Sequence, residues 1–342
     1  MMMRATGLLM VMCSLVSAEP MALSPTLFNN PDFRAKFVGS YGMLPAVEPK
    51  VDREEAELIA EIGEMLSASR FKDAERVLLA FIKERRNPSD PEVESKDVSA
   101  ALIFTLGNLY FQNGQVSDAE RSYKIAIKRH PEYRRAHKNL ALHYATQDKI
   151  GMAKPHLMKA IELGEADHRA FGLLGYSYLK EEKALAAEGA YRQAYLLNPV
   201  ERDWKLGLAQ ALMIQEKWTE SAAMLQTLID ETPDNALLWQ QQANCFIQMD
   251  EPMRAAENYE VLRLKGVADE DSLNQLGDIY ANQEQPLLAL GAYLTAVKSS
   301  EVVNIERSLK SAKYLHVLGA NREAAKFIAE LKEMVDAGIT PE

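Results

Sequence analysis

The sequence is poor in cysteine and in long apolar runs. Its 342 residues include two cysteines, Cys13 and Cys245, and neither belongs to a CxxC pair. This number cannot supply the disulfide framework of a small secreted domain. Outside the N-terminus no apolar segment approaches the roughly 20 residues that a membrane span requires. With 47% hydrophobic and 26% charged residues, the composition is that of an ordinary globular chain with ample core material.

Catalytic and nucleotide-binding motifs are also missing from the sequence. It contains no HExxH, no GxxxxGK[ST], no GxGxxG and no GxSxG. No two histidines stand four residues apart, so no helical pair of metal ligands is indicated. We interpret His137 and His143 as surface or interface residues, and Cys245 as a small buried thiol. The sequence therefore predicts a protein that is not an enzyme, with no cofactor and no metal site.

The N-terminus has the pattern of a secretory signal peptide over residues 1–18. One cation, Arg4, precedes 14 uncharged residues that end in Val16-Ser17-Ala18. We expect cleavage after Ala18 and a periplasmic location, since the chain has no Asn-x-Ser/Thr sequon to suggest a glycosylating pathway. Lipidation of Cys13 is the alternative, although Met12 stands where a lipobox needs a small residue.

A leader, residues 19–52, follows the predicted cleavage site. Residues 19–50 hold five prolines and show no helical period, which indicates extended or irregular chain. The leader is nevertheless too apolar for a plain linker. We expect its aromatic residues either to cover the open edge of the following domain or to dock a partner. These residues are Phe28, Phe33, Phe37 and Tyr41.

A repeat of 34 residues organises the rest of the chain. Similar segments begin at Leu106, Leu140 and Leu174, and a fourth begins three periods later at Leu276. Each has an apolar stripe at helical spacing, a polar turn and a second helical stretch. The pattern predicts about eight helix-turn-helix repeats over residues 55–338. Their expected starts are residues 55, 100, 134, 168, 202, 236, 270 and 304.

The recurring residues resemble those of the tetratricopeptide repeat family. Four kinds of position carry the resemblance. Two residues depart from it: Gln242 stands where the recurring Leu is expected, and Ser221 stands where the small Ala of the second helix is expected. The positions are the Leu-Gly/Ala pair (Leu106-Gly107, Leu140-Ala141, Leu174-Gly175, Leu208-Ala209, Leu276-Gly277), the aromatic (Tyr110, Tyr144, Tyr178, Phe246, Tyr280, Tyr314), the small residue of the second helix (Ala74, Ala119, Ala153, Ala187, Ala255, Ala289) and the late proline (Pro131, Pro199, Pro233).

The resemblance implies an all-α fold, a right-handed superhelical solenoid of stacked repeats. A lone hairpin cannot bury both faces, so stacking identical hairpins creates one continuous core. Family members bind ligands through the concave wall of first helices. Carried onto this sequence, the wall consists of Asn108, Phe111, Arg135, Lys138, Arg169, Tyr176, Gln210, Gln240, Asn244, Asn274 and Asp278.

The early part of this wall is cationic and the later part is rich in amides. Residues 121–169 hold 11 basic and 5 acidic residues, whereas residues 250–284 hold 3 basic and 9 acidic residues. Either these charges are merely solvated faces, or they select a partner. In the second case the amide side chains form hydrogen bonds with the backbone of an extended partner segment, and the cationic side chains favour a segment that is acidic. The acidic net charge of −10 and the export signal disfavour nucleic acid.

The sequence thus favours a protein–protein interaction scaffold or adaptor in the bacterial cell envelope, with the membrane involved only indirectly. An exported leader followed by a repeat array resembles the accessory repeat proteins of TonB-type energy-transducing transport systems. The alternative is a module that assists exopolysaccharide or other envelope-polymer assembly and export. That function would need aromatic platforms, for which Phe111 and Tyr176 are the candidates.

Overall fold

The structure, a computed structural model, describes residues 48–85, 98–165, 167–299, 302–336 and 340–341. The predicted signal peptide with Cys13 and the cleavage site at Ala18 lie outside these residues, as do the leader aromatics Phe28, Phe33, Phe37 and Tyr41. The chain forms two compact units, Met1–Gly207 and Leu208–Glu342. Among the described residues, no helix has both the length and the apolar character needed to cross a membrane.

The described part of the first unit is helical hairpins joined by short turns. Its helices are α1 (Arg53–Ser67), α2 (Phe71–Glu84), α3 (Ala100–Gln112), α4 (Val116–Arg129), α5 (Arg134–Ala145), α6 (Ile150–Glu162), α7 (His168–Lys180) and α8 (Ala184–Leu197). Helix α9 (Arg202–Ile214) contains the boundary between the units. Within each hairpin of α1 to α8 the two helices pack together, and α2, α4 and α6 also pack on the first helix of the next hairpin.

The second unit continues the same pattern. Its helices are α10 (Trp218–Glu231), α11 (Ala236–Gln248), α12 (Pro252–Lys265), α13 (Glu270–Asn282), α14 (Pro286–Ser299), α15 (Ile305–Val317) and α16 (Asn321–Asp336). Two short strands, β1 (Val302–Val303) and β2 (Thr340–Pro341), pair in parallel, with Val302 opposite Thr340. The described helices stack as repeated hairpins, which confirms the all-α repeat solenoid.

Two local signals recur along the hairpins, a side-chain cap at the start of most first helices and a left-handed residue in the turn between the two helices. Side-chain oxygens cap the start of six first helices; for example, Asp167 accepts a bond from the backbone N–H of Arg169 at 2.9 Å. Such caps satisfy donors that the first helical turn leaves open. The turn between the two helices contains one residue in the left-handed region, and this residue recurs every 34 positions. The series is Gly114, Asp148, Glu182, Glu216, Asp250 and Glu284.

Glycines explain why a small residue follows the recurring leucine. A Cβ on Gly175 would lie 2.8 Å from the ring of Tyr191, and one on Gly277 would lie 2.3 Å from the ring of Tyr293. Both tyrosines are almost fully buried. The first helix approaches the second so closely that the aromatic ring fills the space of the missing side chain. The repeat therefore pairs a small residue with a large one across each such crossing.

Candidate partner-binding site

All eleven wall residues of the sequence prediction lie within the described chain, and none is fully exposed. Five are half-buried: Arg135, Arg169, Gln240, Asn244 and Asp278. Six are buried: Asn108, Phe111, Lys138, Tyr176, Gln210 and Asn274. Six belong to the first unit and five to the second.

In the first unit, Arg135 on α5 holds a carboxylate from the segment before α1. The guanidinium donates from Nε and Nη2 to Oε2 of Glu48 at 3.0 and 2.7 Å. The rings of Phe104 and Tyr133 lie 5.6 and 5.8 Å from the guanidinium carbon, at cation–π distance. Only 12% of the Arg135 side chain and 5% of the Glu48 side chain are exposed. Arg135 therefore forms a preorganised carboxylate site that this chain itself fills.

The other two cations of the early wall also face carboxylates of the same chain. Lys138 Nζ lies 3.4 Å from Glu165 and 3.4 Å from Asp167, and Arg169 lies 3.8 Å from Asp167. Burial pushes the pKa of Asp167 upward, but Lys138 and Arg169 outweigh it and hold the pKa below its ordinary value. Lys138 is thus part of the contact between α5 and the start of α7, as well as a wall residue.

Asn108 on α3 keeps an amide donor without an acceptor. Its Oδ1 accepts bonds from Tyr123 Oη at 3.0 Å and from Asn139 Nδ2 at 2.7 Å. Its Nδ2 is buried and has no hydrogen-bond acceptor in the described chain. A buried donor without a partner costs about 1–3 kcal/mol.

The two candidate aromatic platforms are not open surfaces. Phe111 is 9% exposed and Tyr176 is 5% exposed. The ring of Phe111 meets His143 edge-on at 5.9 Å, and Lys180 Nζ lies 5.6 Å from the ring centre of Tyr176. Sugar stacking needs an accessible ring face, and neither residue offers one.

Three wall residues of the second unit are tied into contacts between repeats. Gln240 Nε2 on α11 donates to Asp269 and to Ser272 at 2.9 Å each. Asp278 on α13 accepts from Arg307 Nη2 at 2.7 Å, and Tyr293 Oη donates to its other oxygen at 2.7 Å. Arg307 also lies 3.4 Å from the carbonyl of Asn274. These side chains join one first helix to the next.

Gln210 on α9 and Asn244 on α11 differ from their neighbours. They occupy the ninth place of successive 34-residue repeats in the second unit. Gln210 is 6% exposed, and its Nε2 has no acceptor among the described residues. Asn244 is half-buried and makes no side-chain hydrogen bond to another described residue. Asn108 holds the same ninth place in its own repeat, and there too the amide donor has no acceptor.

Of the two alternatives for His137 and His143, surface or interface, the surface alternative is wrong, because both side chains are buried. His137 is 7% exposed and His143 is 1% exposed. His137 Nδ1 lies 3.0 Å from His156 Nδ1, and the other nitrogen of His137 lies 3.0 Å from the carbonyl of Pro131. The bond to a carbonyl requires a hydrogen on His137 Nε2, so in the neutral pair His156 donates to His137. Helix α5 has few large apolar residues, and histidine rings take their place in its core.

Burial lowers the pKa of several of these rings. It is the largest cause of a pKa of about 4 for His156, and the nearby His137 and Lys124 add to it. Burial also lowers the pKa values of His137, His143 and His168. The first unit therefore contains four histidines that are held in the neutral form.

Some partners of the wall residues were not predicted from the sequence. Glu48 comes from the leader and Arg307 from the repeat after that of Asp278, so periodicity within one repeat does not point to them; Glu165 lies in the same repeat as Lys138, near its end. One signal was available for Glu48. It stands between Pro45 and Pro49, and prolines favour extended chain that presents its side chains.

A family comparison assigns the repeats. The family model described as tetratricopeptide repeat matches residues 104–151 and 173–236. The matched residues form tetratricopeptide repeats. The matched ranges include the Leu-Gly/Ala pairs at Leu106, Leu140, Leu174 and Leu208. Tetratricopeptide repeat folds generally mediate protein–protein interactions. A comparison with curated proteins gave no match.

Solved structures with the same architecture extend over most of the chain. The C-terminal part of a TPR repeat-containing protein from Cytophaga hutchinsonii aligns with a TM-score of 0.53 and 11% identity, covering 74% of this chain and 98% of that chain. A tetratricopeptide repeat protein from Parabacteroides merdae gives 0.45 and 19%, with 78% and 99% covered. YrrB, described as a TPR protein with an unusual peptide-binding site, gives 0.47 and 19%, with 63% and 96% covered.

Proposed function

We propose that the protein is a non-enzymatic scaffold or adaptor that binds an extended protein segment along its first helices. The observation that carries this proposal is the set of amides at the ninth repeat place. In the second unit, Gln210 Nε2 is a donor without an acceptor among the described residues, and the half-buried Asn244 makes no side-chain hydrogen bond to a described residue. An extended segment carries carbonyls along its length and can supply acceptors without regard to its sequence.

The charges support an acidic segment as the partner. Arg135 already binds a carboxylate, held against two aromatic rings, and Lys138 and Arg169 also face carboxylates. Guanidinium–carboxylate bonds are charge-assisted and are stronger than bonds between neutral groups. Because the chain fills these positions with its own acids, a partner would have to exchange with them.

The amides are tested with near-isosteric variants. Gln210→Met with Asn244→Leu should weaken binding to the partner by about 1–3 kcal/mol, since two donors are removed at nearly constant volume. The melting temperature should not fall, because no described residue accepts a bond from either side-chain donor. The partner is first captured by crosslinking in intact cells, and its affinity is then measured by titration calorimetry.

Gln283→Met is the matched control for the amide test. Gln283 is an exposed amide in the turn after α13, away from the ninth place. It should leave affinity unchanged. Equal affinity of wild type and the double variant for the captured partner would contradict binding through these amides.

The cell envelope is the proposed location, and the signal-peptide pattern of residues 1–18 supports it. We expect the mature protein to begin at Glu19, because Val16-Ser17-Ala18 is a small-residue cleavage pattern and Met12 spoils a lipobox. Intact-mass measurement of exported protein checks this. A lipid-modified Cys13 at the new terminus would contradict it.

Within the envelope, an accessory role in a TonB-type transport system is the narrower proposal. Its support is the layout of an exported leader followed by a repeat array. The exopolysaccharide alternative loses its expected basis, because the rings of Phe111 and Tyr176 are buried. Chromosomal neighbours of the gene, and the identity of the crosslinked partner, decide between transport and polymer export.

A further inference from the structure

We propose that Glu48 is an internal ligand of the carboxylate site at Arg135, so that an acidic partner segment binds only by displacing it. The inference rests on the proposed function and specifies how the groove of the first unit is regulated. Glu48 lies 87 residues from Arg135 in sequence, yet its carboxylate receives two bonds from the guanidinium.

The site has the features of a carboxylate receptor rather than of a chance surface ion pair. Exposed pairs contribute little, because water screens them and both side chains lose freedom. Here both side chains are largely buried, and the guanidinium is flanked by Phe104 and Tyr133. Aromatic faces orient the planar guanidinium and keep its fork directed at one acceptor.

The internal ligand has the same chemistry as the proposed external one. Glu48 precedes Pro49, and a residue before proline is biased toward extended backbone. An extended segment with one carboxylate is the partner that the groove charges favour. The segment is tethered close to its site, because α1 begins at Arg53. A short tether gives an effective concentration on the order of millimolar, enough to compete with weak ligands.

Glu48 fills the site incompletely. Both bonds that it accepts from Arg135 use Oε2, while Oε1 is buried and has no hydrogen-bond partner in the described chain. A buried carboxylate oxygen without a donor is destabilising. A competing segment whose carboxylate accepts hydrogen bonds at both oxygens would gain the hydrogen bond that Glu48 Oε1 lacks, and would bind the site more favourably in this respect. The contact is therefore suited to exchange rather than to permanent closure.

The test uses the full chain and a synthetic peptide as the probe. The peptide acetyl-Ala-Val-Glu-Pro-Lys-amide copies residues 46–50, and a second peptide replaces its Glu by Gln. In the variant Glu48→Gln the internal charge is gone, so the Glu peptide should bind at least about tenfold tighter than to wild type. In wild type, Glu48 leaves the Arg135 site open in only a small fraction of the molecules. The apparent affinity for the peptide is reduced in proportion to that fraction. Affinities are measured by titration followed by NMR.

Two controls define the recognition. The Gln peptide should lose most of the binding to Glu48→Gln, and the Glu peptide should lose it to the double variant Glu48→Gln with Arg135→Gln. Melting curves establish that each variant is folded, and the pair of peptides tests charge recognition on one unchanged protein. This second comparison remains informative even where the double variant is unstable.

Each outcome bears on the inference. Tight, charge-dependent binding to Glu48→Gln alone supports it. Equal binding of the Glu peptide to wild type and Glu48→Gln would show that Glu48 does not occupy the site. Equal binding of both peptides, or no binding to any variant, would overturn the carboxylate receptor. The proposed function would survive such a result if the captured partner still depends on Gln210 and Asn244, which belong to the second unit.

Discussion

Gly175→Leu should destabilise the first unit by about 3 kcal/mol or more. The first carbon of any side chain at this position would lie 2.8–2.9 Å from three atoms of the Tyr191 ring. Tyr191 is 1% exposed and cannot swing into solvent, and a Cβ on Gly207 would press on the same ring from the next first helix. The helices must therefore separate, which is the usual cost of overpacking. Chemical denaturation followed by circular dichroism measures the change.

Gly189→Leu is the matched control for this substitution. Gly189 lies on α8 of the same hairpin, is exposed, and has no heavy atom within 4 Å of an added Cβ. Leucine has a higher helix propensity than glycine by nearly 1 kcal/mol, so this variant should be as stable as wild type or slightly more stable. Equal destabilisation by the two substitutions would contradict the close crossing of α7 and α8.

The fold was predictable because its constraints repeat. Gly175 alone predicts little about the fold. A glycine follows the recurring leucine at Leu106, Leu174 and Leu276, however, and this repetition indicates that the two helices of these hairpins cross closely at that point. The helix stack then follows, since one hairpin cannot bury its own faces. Where a polar residue replaces the expected apolar or small residue, hydrogen bonds in the structure satisfy it, and the repeat pattern does not predict those bonds.

The departures at Gln242 and Ser221 show this compensation. Ser221 Oγ donates to the carbonyl of Ala209 at 3.0 Å. Gln242 Nε2 donates to the carbonyl of Ala222 and to Gln226, and its Oε1 accepts from Asn258 Nδ2 at 2.9 Å. Buried polar groups are tolerated when they are bonded in this way. Ala222 and Gln226 belong to the repeat before that of Gln242, so the sequence of the Gln242 repeat by itself does not point to them.

The repeat places of the predicted wall residues follow from the sequence, but the contacts that these residues make do not. The repeat place of Arg135, Lys138 and Arg169 follows from the family resemblance. The carboxylates that face them come from the leader, from the end of α6 and from the cap of α7. The contact with Glu48 depends on three-dimensional packing rather than on spacing within a repeat. The count of 11 basic and 5 acidic residues over 121–169 includes Glu165 and Asp167 but not Glu48, so it overstates the cationic character around Arg135.

Mild acid should destabilise the first unit before its carboxylates titrate. The pKa of His156 is lowered to about 4, and the pKa values of His137, His143 and His168 are lowered as well, mainly by burial. The unfolded chain, with ordinary histidine pKa values near 6.5, therefore binds protons that the folded chain does not. The stabilisation is complete above pH 6.5 and declines as the pH falls from 6.5 toward about 4. The contribution of Asp167, whose pKa is depressed, is lost at lower pH.

The contact between His137 and His156 explains why protonation is disfavoured. With both rings charged, two N–H groups would face each other across 3.0 Å, near the cations Lys124 and Lys159. The ring of Tyr144 stacks on His156 at 6.0 Å and limits its movement. Because His156 is partly exposed, we expect it to account for about 2 kcal/mol of the loss, somewhat less than its full shift in pKa implies.

In the variant His156→Gln, the free energy of unfolding that is lost between pH 7 and pH 4.5 should be smaller than in wild type by about 2 kcal/mol. The measurement is the free energy of unfolding from urea titrations at pH 7 and pH 4.5, made in a Trp218→Phe, Trp239→Phe background. The remaining tryptophan, Trp204, then follows the first unit, where it is buried and donates to His168 at 2.9 Å. His316→Gln, at an exposed histidine of the second unit, is the control and should leave the dependence unchanged. If His156→Gln and wild type lose the same free energy between the two pH values, the neutral histidine pair does not set the acid sensitivity of this unit.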